Sequence, residues 1–143
     1  MDELLFYYKK CLTKDYANFK GRASREEYWM FVLVNALIML PLAIVIAIEG
    51  EKNIYEFIFN QLINSEKGKL FFITFIYVLY SIIITLPALA VKTRRLHDRG
   101  RTGKLILLEY IPFLGFIATI ILFVMCVLPG KAGENRYGHN PKE

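Results

Sequence analysis

Two runs of this chain contain no charged residue: residues 29–48, twenty in a row, and residues 70–91, twenty-two. A helix of twenty residues, at about 1.5 Å each, is about 30 Å long, the thickness of a bilayer's hydrocarbon core. Lipid offers no partner to backbone N–H and C=O groups, so each run is predicted to cross the membrane as an α-helix. A third run, residues 105–128, carries one charge in twenty-four residues, Glu109. One tilted span is its simplest structure. However, Ile111-Pro112-Phe113-Leu114-Gly115 lies within it and would break it into a re-entrant hairpin. The predicted fold class is all-α: one polytopic membrane domain over residues 1–143, with about three transmembrane helices and an interfacial helix at the N-terminus.

Between the second and third runs lies a strongly basic connector, residues 92–104. Six of its thirteen residues are Lys or Arg, with Asp98 among them. Such a loop is expected to lie in water. The whole chain is 55% hydrophobic with a net charge of +5. Because the Lys and Arg flank apolar blocks, the charge reads as positive residues kept in the cytoplasm and not as a nucleic-acid surface. Cys11 lies in a polar flank and Cys126 in an apolar run, so no disulfide framework is expected.

Taken in order, residues 1–16 place Leu4, Leu5, Tyr8, Cys11 and Leu12 at helical spacing. Lys9, Lys10 and Lys14 fall on the other side, and Phe6 is the exception. The segment is amphipathic, either lying in the membrane interface or packed on the protein's own face. It carries acids and has no long apolar core, so it does not read as a signal peptide. Gly21 suits a turn. Ser24 and Glu27 have capping-box spacing, which starts the first long helix at Ser24. Tyr28 and Trp29 stand where an interfacial aromatic belt belongs. Inside the apolar runs, Asn35, Tyr77, Tyr80, Ser81 and Thr85 are predicted to seek partners on other helices, and Pro87 is predicted to kink the second run. Residues 49–69 form a mixed connector with a second interfacial helix in its middle. Residues 129–143 read as an irregular tail.

Charge sets the orientation. Residues 1–27 hold six Lys and Arg, residues 49–69 three, residues 92–104 six and residues 129–143 three. The positive-inside rule puts the N-terminus and the 92–104 connector in the cytoplasm for either form of the third segment. The tail falls outside for a single span, the simpler reading, and inside for a hairpin.

Three stretches carry a likeness: Phe19-Lys20-Gly21-Arg22-Ala23-Ser24-Arg25-Glu26-Glu27-Tyr28-Trp29, then Arg94-Arg95-Leu96-His97-Asp98, then Gly133-Glu134-Asn135-Arg136-Tyr137-Gly138-His139-Asn140-Pro141. In this order the chain resembles the bacterial inner-membrane family known as domain of unknown function 805. The resemblance implies a small multi-pass inner-membrane protein and supplies no catalytic residue. Two departures stand out. Lys104 and Leu105 occupy positions where the family places aromatic residues, and Glu109 stands where it tends to be apolar.

The site candidates follow from charge and position. Arg22, Arg25, Arg94 and Arg95 are predicted to gather at one membrane face, as planar forks for anionic lipid headgroups or for a partner. His97, Asp98, Glu109, Asn135 and Arg136 are candidates for bracing the loop or for function. Adjacent His97 and Asp98 raise the possibility of a general base, but no Ser or Cys is marked as a nucleophile. Asp98 is instead expected to pair with Arg94, Arg95 or Arg22, and Glu109 with Arg101 or Lys104. His97 and His139 have no ligand-like spacing, so neither a metal nor any other cofactor is expected. The resulting function is a structural or adaptor protein whose partners are anionic lipid, a second copy or another membrane protein. The alternative is a small oligomeric transporter or membrane enzyme acting through Glu109 or His97 and Asp98.

Overall fold

Ser24 starts the first long helix as its spacing predicts: its Oγ accepts the Glu27 N–H at 3.1 Å. The computed structural model describes residues 2–49 and 68–141. The interfacial helix expected in the middle of 49–69 lies outside them. The described chain is all-helical: α1 (Asp2–Leu12), α2 (Arg25–Glu49), α3 (Gly68–Asp98), a 3₁₀ helix (Gly103–Tyr110) and α4 (Leu114–Val127). Two of these, α2 and α3, are long and apolar enough to cross a membrane. The described residues form two compact units, one of residues 33–85 and one of residues 1–32 with 86–143.

In the first unit, α2 and α3 present Leu37, Leu40, Ile44 and Phe72, Phe75, Ile82 outward. So much outward apolar surface belongs in lipid and would be a liability in water. Asn35 has the partner its position called for, accepting the Tyr80 hydroxyl at 2.7 Å. Ser81 and Thr85 do not reach across as expected. Their hydroxyls bond back to the Val78 and Ser81 carbonyls of their own helix.

In the second unit, the 92–104 segment departs from the expected water-exposed loop. Residues 92–98 are the last two turns of α3. At about 1.5 Å per residue its 31 residues make about 46 Å, well beyond a 30 Å core. Lys, Arg, Leu and Ala favour helix, so nothing stops it before Gly100. There the Gly100 N–H bonds to the His97 carbonyl at 2.8 Å and the Arg101 N–H to the Leu96 carbonyl at 2.9 Å. With Gly100 at φ +72°, this is a Schellman cap.

The third apolar run is not one continuous helix. It breaks at Ile111–Phe113, the alternative that Pro112 offered, with Phe113 98% exposed at φ 65°. The 3₁₀ helix and α4 pack Ile106 and Leu122 against Leu96 of α3. Gly115 allows the close return, since a Cβ there would meet the Glu109 carbonyl oxygen. Gly115→Ala should therefore cost about 1–3 kcal/mol, read as a lower melting temperature in nanodiscs. Both ends of this hairpin sit at the end of α3. A Cβ on Gly103 would meet Thr93, and one on Gly130 would meet Asp98. The start of the tail thus lies beside the basic motif at the end of α3.

Candidate functional site

The three motif stretches converge at the end of α3 and form two buried ion clusters. The first is built by Arg94. Its guanidinium reaches the carboxylates of Asp15 at 2.8 Å and Glu27 at 2.9 Å. Lys10 of α1 bonds to Glu27 at 2.9 Å and lies 3.6 Å from Asp15. Two cations thus face two anions, drawn from α1, the turn after it, α2 and α3. A backbone bond from Ala23 N–H to the Arg94 carbonyl, at 3.1 Å, ties the same elements together.

Charge pairing shows in the ionisation of this cluster. Burial alone would raise the Asp15 carboxyl, but the Asn18 hydrogen bond and the Arg94 charge hold it below the usual carboxylate range. Burial would lower Lys10, yet its bond and attraction to Glu27 keep it raised. Burial and the Glu27 charge push the Cys11 thiol up to about 11, so it stays an unreactive neutral group. The α1 helix is docked through Cys11 and through Tyr8, whose ring lies 5.7 Å from that of Phe31. Of the two placements open to the amphipathic segment, the packed one is seen, with Leu5 and Phe6 left outward.

The second cluster surrounds Asp98. Its Oδ1 accepts from Arg22 at 2.9 Å and its Oδ2 from Arg95. Arg22 also donates to the tail carbonyls of Lys131 and Gly133, both at 2.6 Å. Arg95 donates to the carbonyls of Cys126, at 3.0 Å, and Leu128 at the end of α4. Backbone approach is close here, which Gly130 permits, and the Lys131 N–H donates to the Asp98 carbonyl at 3.0 Å. Asp98 thus has the role that its setting among arginines implied, with Arg22 and Arg95 as partners while Arg94 goes elsewhere.

His97 points away from Asp98. Its Nδ1 lies 3.1 Å from the Gly21 carbonyl, which makes that nitrogen the donor, and its ring stacks on Tyr137 at 3.8 Å. The Asn135 amide donates to the His97 carbonyl at 3.1 Å while its Oδ1 accepts the Tyr137 N–H at 2.8 Å. Arg136 lies over the Tyr137 ring, 4.8 Å from its centre. Asn135 and Arg136 therefore fold the tail onto α3. The His97 and Asp98 side chains serve different partners, so the arrangement is not a carboxylate-tuned base. Glu109 pairs with Lys92, both carboxylate oxygens at 2.7 Å. The expected Arg101 and Lys104 are not its partners, because the 3₁₀ helix turns Glu109 back toward α3.

The four-arginine anion site needs the largest correction. Arg22, Arg94 and Arg95 have side chains only 1%, 3% and 1% exposed, and their forks are occupied by carboxylates and carbonyls. Only Arg25 is exposed. Buried guanidiniums must be neutralised from within, and Asp15, 79 residues from Arg94, sits too far along the chain for sequence spacing to have flagged it. The other signal was legible: the capping-box Glu27 has a carboxylate left free to turn inward.

Comparison with known proteins finds relatives along nearly the whole chain. The inner membrane protein YhaI of Escherichia coli K12 is 35% identical over 131 residues, 92% of each chain. Inner membrane protein YhaH of the same strain is 38% identical over 136 residues, 95% of this chain and 96% of that one. No solved structure matches. The family model described as "Protein of unknown function (DUF805)" matches residues 16–139, from the turn after α1 to the motif tail, and the chain belongs to that family.

Proposed function

We propose that the chain is a structural protein of the bacterial inner membrane, multi-pass, whose cytoplasmic end is a rigid platform held against anionic lipid. The observation that carries this reading is a separation of charge. Arg22, Arg94 and Arg95 are paired inside, while the exposed ionisable residues of that end are mostly cationic. Lys9, Lys14, Lys20, Arg25, Arg101, Lys104, Lys131 and Arg136 are exposed, against Glu26 and Glu134 among the described residues. Each basic group near an anionic surface contributes about 1 kcal/mol. In this threading α2 and α3 cross the membrane, and the hairpin of residues 103–128 enters and leaves by the cytoplasmic face. Relatives named as inner membrane proteins support the location. So does the charge distribution, since fifteen of the eighteen Lys and Arg then lie inside.

Topology reporters test the threading. One active only outside the cytoplasm should be on when fused after Glu51 and off after Arg101 or Pro141. An active reporter after Pro141 would remove the re-entrant hairpin. Lipid dependence tests the platform: melting temperature in nanodiscs should rise with anionic lipid content, and salt should weaken the rise. Replacing Lys9, Lys14 and Lys20 by Gln should reduce it by more than half. Indifference of wild-type melting to lipid charge would sink the lipid role.

A further inference from the structure

We infer that a cavity of about 200 Å³ between the start of α2, the end of α3 and the tail is a binding site for one phosphate group. The inference rests on the lipid-facing platform and gives it a specific ligand. Ser24 and Arg25 line the cavity from α2, Arg95 and Asp98 from α3, and Gly130 and Lys131 from the tail. Its charge is one-sided. Asp98 is already shared by Arg22 and Arg95, so its carboxylate is neutralised before any ligand arrives.

Two cations then remain over. Arg25 and Lys131 are exposed, and among the described residues neither side chain has an ion-pair or hydrogen-bond partner. Every other cation lining this space is held by protein acceptors. The open Arg25 guanidinium beside the cavity suits a tetrahedral anion, whose oxygens its fork binds in pairs, and Lys131, whose ammonium lies against Gly100 at the end of α3, adds positive charge nearby. The start of α2 beside it favours negative charge as well. The space is several times the roughly 30 Å³ share of one water, so a phosphate and part of its ester fit.

A phosphate could come from a lipid headgroup or from a soluble ester. Position favours the lipid: Tyr28 and Trp29 follow Arg25 within one turn of α2, the level of an aromatic belt. The phosphate of a phosphatidylglycerol at that depth would meet the cavity mouth.

Test the full chain in nanodiscs with two paired variants, Arg25→Gln with Lys131→Gln and Lys9→Gln with Lys14→Gln. In the first arm, native mass spectrometry measures retention of phosphatidylglycerol from a mixture with phosphatidylcholine. In the second, inorganic phosphate and glycerol phosphate are titrated against melting in purely zwitterionic nanodiscs. One retained phosphatidylglycerol, weakened at least tenfold by the Arg25 and Lys131 pair and little by the Lys9 and Lys14 pair, supports a lipid-phosphate site. Saturable stabilisation by soluble phosphate, lost in the same pair, supports the site with a soluble ligand. Equal retention by wild type and the Arg25 and Lys131 pair overturns the inference, as does a wild type that binds no phosphate in either arm. If only the Lys9 and Lys14 pair weakens the lipid response, the platform stands and the phosphate site falls.

Discussion

Asp98→Asn should remove most of the folded protein. The carboxylate is the one anion between two buried guanidiniums, Arg22 on Oδ1 and Arg95 on Oδ2. An amide of the same shape keeps one acceptor oxygen and turns an NH₂ group toward the other arginine's N–H. Donor then faces donor, and a second positive charge is left buried without its anion. Breaking such a pair from one side costs about 3–5 kcal/mol. That is a large part of the 5–15 kcal/mol that holds a typical domain. The loss should be global, because the arginines also hold the carbonyls of α4 and of the tail. The measurement is the yield of monodisperse protein together with protease protection of the tail. His97→Ala should cost less, about 1–2 kcal/mol, through the lost stack on Tyr137 and the bond to Gly21. If His97→Ala proves the more damaging, the Asp98 cluster is not the main brace of the fold.

Composition and periodicity made the long helices legible, because an uncharged run of twenty residues has one stable form in lipid. Capping chemistry placed the start of α2 at Ser24 to within a residue. The basic segment was harder. Charge argues against burial in hydrocarbon, but charge does not decide between a loop and a helix that runs on past an apolar span. The cue was Gly100, which stops α3 only after Lys92–Asp98 has wound onto it. The hairpin break was visible at Pro112 as an alternative. Its decisive residue is Gly115, whose need for contact with Glu109 appears only in three dimensions.

The arginines show the remaining limit. Four basic residues in two motifs look alike as charges, and nothing local separates Arg25, which stays open, from Arg22, Arg94 and Arg95, which close inward. The deciding partners are distant: Asp15 lies 79 residues from Arg94, and the tail carbonyl of Lys131 lies 109 residues from Arg22. Basic residues that flank apolar runs can therefore be structural charge. In this chain a basic motif fastens the tail, the hairpin and the amphipathic helix to one helix end.

Glu27→Gln should be the second most damaging change, and its pattern of rescue is more telling than its size. The first cluster balances Lys10 and Arg94 against Asp15 and Glu27. Removing the Glu27 charge leaves two cations on one carboxylate, at a cost of about 2–4 kcal/mol. Replacing Glu27 and Arg94 together by Leu instead removes one charge of each sign and leaves Lys10 beside Asp15. The double variant should therefore melt above Glu27→Leu alone, a coupling that a double-mutant cycle reads directly. Acid should act in the same sense. The Asp15 carboxyl is held below its unfolded value, so its contribution is present above the ordinary carboxylate range and lost as pH falls through the folded value. Lys10 is raised, so its share persists at neutral pH and goes only in strong alkali. Melting temperature should therefore fall gently as pH drops through the histidine range, because burial holds His97 below its usual value, and steeply below about pH 4. In Arg94→Leu, where Asp15 has lost its closest cation, melting should be lower at neutral pH and the acid drop shallower, because the folded carboxyl value moves back toward the unfolded one. An unchanged acid limb in that variant would mean that Asp15 owes its ionisation to Asn18 and Lys10, and that Arg94 serves Glu27 alone.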